Sequence, residues 1–363
     1  MITRLQVRGF KSLLDVDVTL GPLTVFVGAN GSGKTSVLEA IRFLRDAVLH
    51  PGPGAHNPPL YRIRLERLLS RQGVEPIVAA ASLLTKGGVL DLRGDFLPRS
   101  YELSLVQADQ SHRKNVTLER PSRDELPSSI KTAAHGIEMF RLDAEAMAKS
   151  TYSDETEPVL AFNGENLAAV LDALQGTARE RFDEIERRMQ EFVPWLKRLR
   201  VKRARTPMRG RRKEQPPSLV IGHQVAFDFD HAPDISAEDA SEGTMLLLGL
   251  LTIIESKPPG DMTIMLDDLD RALHPKAQRE LVGYLHELVR SRPGLQIIAT
   301  THSPYLVEHL AYEEVRAITQ RPDGTSVVAS LADHPQAERW REEMSAGEFW
   351  GSVGESWVAA SGK

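Results

Sequence analysis

Residues 22–36 read PLTVFVGANGSGKTS. The first part is an apolar strand pattern and the middle is a glycine-rich turn. From Ser36 onward the apolar residues Val37, Ala40, Ile41, Leu44 and Val48 recur at helical spacing. Strand, loop and helix in that order are the context a phosphate-binding loop demands, and GANGSGKT, Gly28–Thr35, matches GxxxxGK[ST] in full. Glycines let backbone N–H groups curl around phosphate oxygens, and the following helix presents its positive end to them. On this reading Lys34 faces the β and γ phosphates and Thr35 offers its hydroxyl to Mg2+. Gly28, Asn30, Gly31, Ser32, Gly33 and Ser36 complete a cradle for ATP.

Given such a loop, a second stretch gains meaning. In TIMLDDLDRALHP, Thr263–Pro275, an apolar run stops on two adjacent carboxylates. A strand ending in Asp267 would deliver a carboxylate to the Mg2+ shell, and Asp268 would hold the attacking water as general base. Without the loop, a strand end or a helix cap would explain the pair as well. In IIATTHSPYLVE, Ile297–Glu308, an apolar strand emerges at Thr300 and Thr301 and places His302 at the carboxyl edge of the sheet, where nucleotides bind in open α/β folds. In ASEGTM, Ala240–Met245, Ser241 caps an apolar helix and Gly243 keeps backbone exposed, so that helix start is a further anion site or simply an N-cap.

The 363 residues are 41% hydrophobic and 26% charged, enough for one large domain or two smaller ones. There is no cysteine, which excludes disulfides, thiolate metal sites and cysteine nucleophiles. The strand pattern begins almost at Met1, leaving no room for a signal peptide, and the longest apolar run, MLLLGLLTII, is ten residues, short of a bilayer span. A cytoplasmic protein without a membrane segment is the expectation. The formal net charge is −5, but KRLRVKRARTPMRGRRK, residues 197–213, holds ten Lys or Arg and no acid, so the rest of the chain stands at −15. Lys202, Arg203, Arg205, Arg209, Arg211, Arg212 and Lys213 are candidates for a duplex DNA path, with a solvated hairpin tip as the plain alternative. No aromatic is interleaved there, which speaks against stacking on single strands.

The remaining pattern predicts short antiparallel strands over 74–119, helices around 166–192, a hairpin formed by LKRLRVKRA and SLVIGHQVAF, and strand–helix alternation after Ser241. The expected division is 1–120 as an N-terminal lobe, 121–235 as an inserted arm with the basic hairpin, and 236–363 as a C-terminal lobe. The tryptophans at 195, 340, 350 and 357 read as packing residues, and His274 as a start-of-helix signal next to Pro275.

The four motif segments, in this order, resemble an ABC-type ATPase head of the SMC and RecF kind, and more narrowly the bacterial ATPases related to the overcoming-lysogenization-defect proteins. The opening ITRLQVRGFKSLLDVDVTLGPLTVFVGANGSGKTSVLEAI, the stretch LAFNGENLAAVLDAL (Leu160–Leu174) and the end SAGEFWGSVGESWV (Ser345–Val358) carry the narrower likeness. The resemblance implies an α/β fold: a P-loop NTPase head with a mixed, largely parallel sheet, an antiparallel β lobe and an inserted helical and β-hairpin arm. It makes GANGSGKT Walker A, TIMLDD Walker B, SEGT the signature and His302 the switch histidine. It also implies a homodimer in which each ATP lies between Walker A of one chain and Ser241 and Gly243 of the other, a two-state switch that hydrolysis loosens.

The chain departs from the family pattern in three places. Asp268 and Leu269 stand where Glu and Pro are usual, Glu242 stands where many members carry Gly or Asp, and the glutamine of the Q-loop has no clear counterpart. Aspartate is one methylene shorter, so slow hydrolysis is expected. Sixty-one residues follow His302, too few for a TOPRIM nuclease domain, which implies a separately encoded nuclease or other effector. Three functions compete: an ATP-gated switch in defence against phage or foreign DNA, a RecF-like clamp on duplex DNA, and the ATPase of a transporter. The long insert between Walker A and the signature argues against the last.

Overall fold

A computed structural model of the chain describes residues 1–50, 77–85, 88–97, 100–108, 113–119, 125–208, 218–257 and 260–360. The alternation at the start forms a hairpin. β1 (Ile2–Phe10) and β2 (Leu13–Thr19) pair antiparallel with Phe10 opposite Leu13, and Lys11 in the turn takes a left-handed backbone. Leu5, Val7, Val16 and Val18 are buried while Arg4, Gln6, Arg8, Asp15 and Asp17 face solvent, so the period of two sets the face. β3 (Leu23–Val27) runs into α1 (Lys34–Leu49), as the sequence predicts. β4 (Ile77–Thr85), β5 (Gly88–Leu97), β6 (Ser100–Ala108) and β7 (Arg113–Glu119) join β1 and β2 in one antiparallel sheet, order β2-β1-β4-β5-β6-β7. α2 (Ser128–His135) and β8 (Ile137–Phe140) follow.

The middle of the chain holds α3 (Leu167–Thr177) and α4 (Arg179–Phe192), then the predicted hairpin of β9 (Leu196–Met208) and β10 (Ser218–Phe229). β11 (Ala232–Ser236) pairs with β10, and α5 (Glu242–Glu255) starts just after Ser241. α5 is buried on every side from Met245 to Glu255, because its apolar residues follow no single stripe.

β12 (Met262–Leu266), α6 (Pro275–Ser291), β13 (Leu295–Thr301), β14 (Val315–Gln320), β15 (Ser326–Ser330), α7 (Ala346–Val353) and α8 (Ser356–Ala360) complete the chain. The second six-stranded sheet has the order β15-β14-β3-β13-β12-β8. β12, β13, β3 and β14 run parallel and β15 antiparallel. β3 and β13 are buried along their whole length, the mark of a parallel sheet covered on both faces. Gln296 ties the two large sheets together. Its Oε1 accepts from the Ile2 N–H (2.8 Å) and the Thr263 hydroxyl (3.0 Å), and its Nε2 donates to the Ile2 (2.6 Å) and Gly21 (2.8 Å) carbonyls.

By internal contact the chain forms two compact units, one of Met1–Met139, Gly260–Asp270 and Leu281–Lys363, the other of Phe140–Pro259 and Arg271–Glu280. The expected lobe 1–120 falls within the first unit, whereas the expected lobe 236–363 is divided, with 236–259, which holds α5, and Arg271–Glu280 grouping with the second. A helix apolar all round carries no label of the core it will join, so this assignment was not legible in the sequence. No helix among the described residues is long and apolar enough to cross a membrane.

Candidate nucleotide-binding site

β3 delivers Gly28 to the carboxyl edge of the parallel sheet, and Gly33 turns the chain into α1. Both glycines have positive φ (152° and 111°) and both are closely approached: a Cβ on Gly28 would lie 2.1 Å from the Ile318 carbonyl oxygen, and one on Gly33 2.5 Å from the Ser326 hydroxyl. No other residue fits either position. α1 carries no acid in its own first turn. Lys34 is buried, and its Nζ donates to the Gly28 (2.7 Å) and Ala29 (2.9 Å) carbonyls. Burial pulls the Lys34 pKa below the ordinary lysine value, against the opposing charges of Asp268, Asp267, Glu355 and Asp270. The Ser32 hydroxyl is buried without a hydrogen-bond partner among the described residues. A buried orphan hydroxyl, an ammonium hydrogen-bonded to loop carbonyls and a helix start with no acid in its own first turn suit a phosphate chain. Asn30 and Gly31 are exposed at the loop's tip, and Ser36 is half-buried in the first turn of α1.

β12 brings Asp267 to the same edge, buried, and its carboxylate accepts from the Thr35 hydroxyl (3.0 and 3.2 Å to the two oxygens) and from the Thr300 hydroxyl (2.8 Å). The two residues expected to hold Mg2+, 232 positions apart, are thus in direct contact. Their hydroxyl and carboxylate oxygens are the hard donors that this ion takes. Asp268 takes a left-handed backbone, φ 57°, and its N–H donates to Thr300 Oγ1 (2.8 Å). Thr300 therefore fixes both aspartates, donating to one side chain and accepting from the other's backbone.

The His302 ring stands between Lys34 and Asp268, with Nδ1 3.4 Å from Lys34 Nζ and Nε2 3.8 Å from Asp268 Oδ1. An ammonium can only donate, so a hydrogen bond between the two would have Nδ1 as acceptor, with Nε2 on the side of Asp268. Asp270 orients this segment by accepting from the Thr301 hydroxyl (2.6 Å) and the His302 N–H (3.2 Å).

Four participants escaped the sequence reading: Thr300, Thr301, Asp270 and Glu355. The first three had a faint signal, a paired threonine before the histidine and a third aspartate after the pair. Glu355 had none, since it lies 321 residues from Lys34, yet its charge reaches the Lys34 ammonium. The Trp350 indole N–H donates to its Oε1 (2.9 Å), so this tryptophan does more than fill space.

In the second unit Ser241 is the N-cap of α5, its Oγ accepting from the Thr244 N–H at 3.2 Å. Gly243 meets the Ala272 carbonyl, 2.7 Å from where a Cβ would stand, and Glu242 pairs with Arg271 at 3.0 Å. The N-cap role of Ser241 is thus realised, and its hydroxyl remains exposed. In the basic hairpin, Lys197 pairs with Asp230, Arg200 with Asp228 and Asp234, and Lys202 with Asp234. The hairpin's own sheet therefore neutralises part of its charge. Arg203 and Arg205 are exposed on the opposite face, while Arg209, Arg211, Arg212 and Lys213 lie outside the described residues.

Residues 23–308 match the family model described as AAA domain, putative AbiEii toxin, Type IV TA system. The chain is 24% identical over 367 residues to the OLD nuclease of Thermus scotoductus, covering 93% of the chain and 65% of that relative. It is 35% identical over 98 residues to the DNA replication and repair protein RecF of Acidothermus cellulolyticus, 27% of the chain and 24% of RecF. It thus spans less than two thirds of the OLD nuclease and about a quarter of RecF. Among solved structures, the fold matches an Smc head domain from Pyrococcus furiosus, with TM-score 0.58 and 18% identity over 94% of this chain and 98% of the other. A second Smc head, bound to the C-winged helix domain of ScpA, matches with TM-score 0.60 and 19% identity over 93% and 99%. The P-loop, the Thr35–Asp267 contact and the match over residues 23–308 agree: the chain has the fold of an Smc head domain and belongs to the AAA-domain family described as putative AbiEii toxin, Type IV TA system.

Proposed function

We propose that the chain binds ATP and Mg2+ between the P-loop and the end of β12, and that slow hydrolysis times an ATP-held homodimer. The observation that carries this reading is the Thr35–Asp267–Thr300 cluster beside Lys34, with Asp268 and His302 next to it. Thr35 and Asp267 would hold Mg2+, which when bound neutralises phosphate charge. Lys34 would exchange its loop carbonyls for β and γ phosphate oxygens. Asp268 would orient the attacking water and take its proton, and His302, steadied by Asp270, would hydrogen-bond the terminal phosphate. Ser241 and Gly243 would complete the nucleotide site of a second chain. Lys34→Ala should abolish ATP binding in isothermal titration. Asp268→Asn should retain binding and lose hydrolysis by ~100-fold or more, the usual scale of a general base. Full turnover in Asp268→Asn would remove Asp268 from that role.

The switch would act with DNA or a separately encoded effector such as a nuclease, in anti-phage or foreign-DNA defence. The likeness to the OLD nuclease over 93% of the chain supports this direction. A RecF-like clamp on duplex DNA is the second reading, supported by the local identity of 35% to RecF. Either role puts weight on the exposed cations that pair with no acid among the described residues. Replacing Arg203 and Arg205 by alanine should weaken duplex binding and reduce the slope of log affinity against log salt by about 2. An unchanged slope would take DNA off this hairpin.

A further inference from the structure

One part of the molecule, the β14–β15 hairpin, has no role in the reading above, yet it lies against the outer side of the P-loop. Gln320 and Ser326 are directly opposite each other in its last ladder pair, and cross-strand partners point to the same face. Gln320 Nε2 donates to the Gly31 carbonyl at 2.9 Å, and Ser326 Oγ donates to the Ser32 carbonyl at 2.6 Å. The two residues thus take hold of successive peptide carbonyls of the loop. Two residues back on β14, the Ile318 carbonyl abuts Gly28 and forbids any side chain there.

Ser326 is also anchored from behind. Its N–H donates to the Ser12 carbonyl (2.8 Å), and its hydroxyl lies 2.7 Å from the Ser12 hydroxyl. With its one proton committed to Ser32, Ser326 must accept from Ser12, so a relay runs from the β1–β2 turn through β15 to the loop. The turn that closes the hairpin is fixed in its own right: Asp323 accepts from the Thr325 N–H (2.9 Å) and Gly324 takes φ 84°.

A trans peptide plane points its N–H opposite to its carbonyl. Behind the Ser32 carbonyl this is the Gly33 N–H, whereas behind the Gly31 carbonyl the Ser32 N–H closes the loop's turn on the Ala29 carbonyl at 3.2 Å. Holding the two carbonyls therefore fixes the turn and the direction of the Gly33 N–H. We propose that Gln320 and Ser326 are positioning residues of the nucleotide site, which hold the P-loop's turn and the direction of the Gly33 N–H in the phosphate-binding form before nucleotide arrives. The inference rests on the nucleotide reading above. It concerns the β-phosphate cradle, so it applies to ADP and ATP alike.

The test uses Gln320→Met, which keeps size and loses the donor, and Gln320→Glu, which turns a carboxylate toward the Gly31 carbonyl. Each is titrated with Mg-ATP and with Mg-ADP at a temperature where thermal melting without nucleotide shows the protein fully folded. The expected result is a Kd raised 5-fold or more for both nucleotides, larger in Gln320→Glu, with KM rising more than kcat falls. A purely structural role would lower the melting temperature without nucleotide and leave Kd unchanged, and unchanged Kd values in both variants overturn the proposal. Absence of nucleotide binding by the wild type would overturn the site reading itself, and the positioning role with it.

Discussion

Asp268 stands where the family resemblance implies a glutamate, and its backbone supplies a reason. At φ 57° it sits in the left-handed region that aspartate and asparagine tolerate better than other side chains. A glutamate would reach one methylene further but would have to adopt the same strained turn. Asp268→Asn should therefore melt with the wild type, whereas Asp268→Glu should cost about 1 kcal/mol in urea unfolding. Equal stability of all three would mean that the backbone places no demand on this residue. Glu355 offers a second test. Its charge helps to keep the Lys34 ammonium protonated, but it would also repel a phosphate bound there. Glu355→Gln should bind Mg-ATP more tightly by a few-fold, while a weaker Kd would show that the carboxylate supports the site. The paired aspartates were legible in the sequence because an apolar run stopping on two acids needs a partner charge. Thr300 was not, because its role depends on the parallel register of β12 and β13, which no local pattern encodes.

At the scale of elements, the strands and helices followed from periodicity and turn residues, while the ties between them did not. Gln296, the second residue of the buried β13, serves two backbone groups of Ile2, the Gly21 carbonyl and the Thr263 hydroxyl. Gln296→Leu would strand these buried groups, at 1–3 kcal/mol for each left unsatisfied. A total loss of roughly 3 kcal/mol or more is expected in urea unfolding, and a loss below about 1 kcal/mol would show that the sheets are joined by packing alone. The C-terminal elements carry a pH dependence. His334 packs edge-on against Phe349 and Trp357, and burial lowers its pKa below the ordinary 6.5. The unfolded chain then binds the proton more readily, so stability is lost as pH falls through about 6.5 toward the lower folded value. The melting temperature of His334→Phe, which keeps an aromatic ring and cannot be protonated, should fall less than that of the wild type between pH 7.5 and 5.5. Parallel pH profiles would assign the dependence to other groups.

For the whole molecule, the fold class was legible because a P-loop between strand and helix admits few architectures, and the chain's later strand–helix alternation agrees with a parallel sheet. The division into units was less so, since α5 is apolar on every side and its sequence does not say which core receives it. The consequence matters for function. The P-loop and Asp267 lie in one unit and Ser241 in the other. The proposed switch requires the exposed Ser241 hydroxyl of one chain to meet nucleotide held by another. Light scattering of Asp268→Asn, with and without Mg-ATP, tests this most directly. The predicted result is a rise from 40.3 kDa to about twice that mass with Mg-ATP, and no rise with Mg-ADP or when Ser241→Arg is added. A mass that stays at 40.3 kDa while ATP is demonstrably bound would contradict the account.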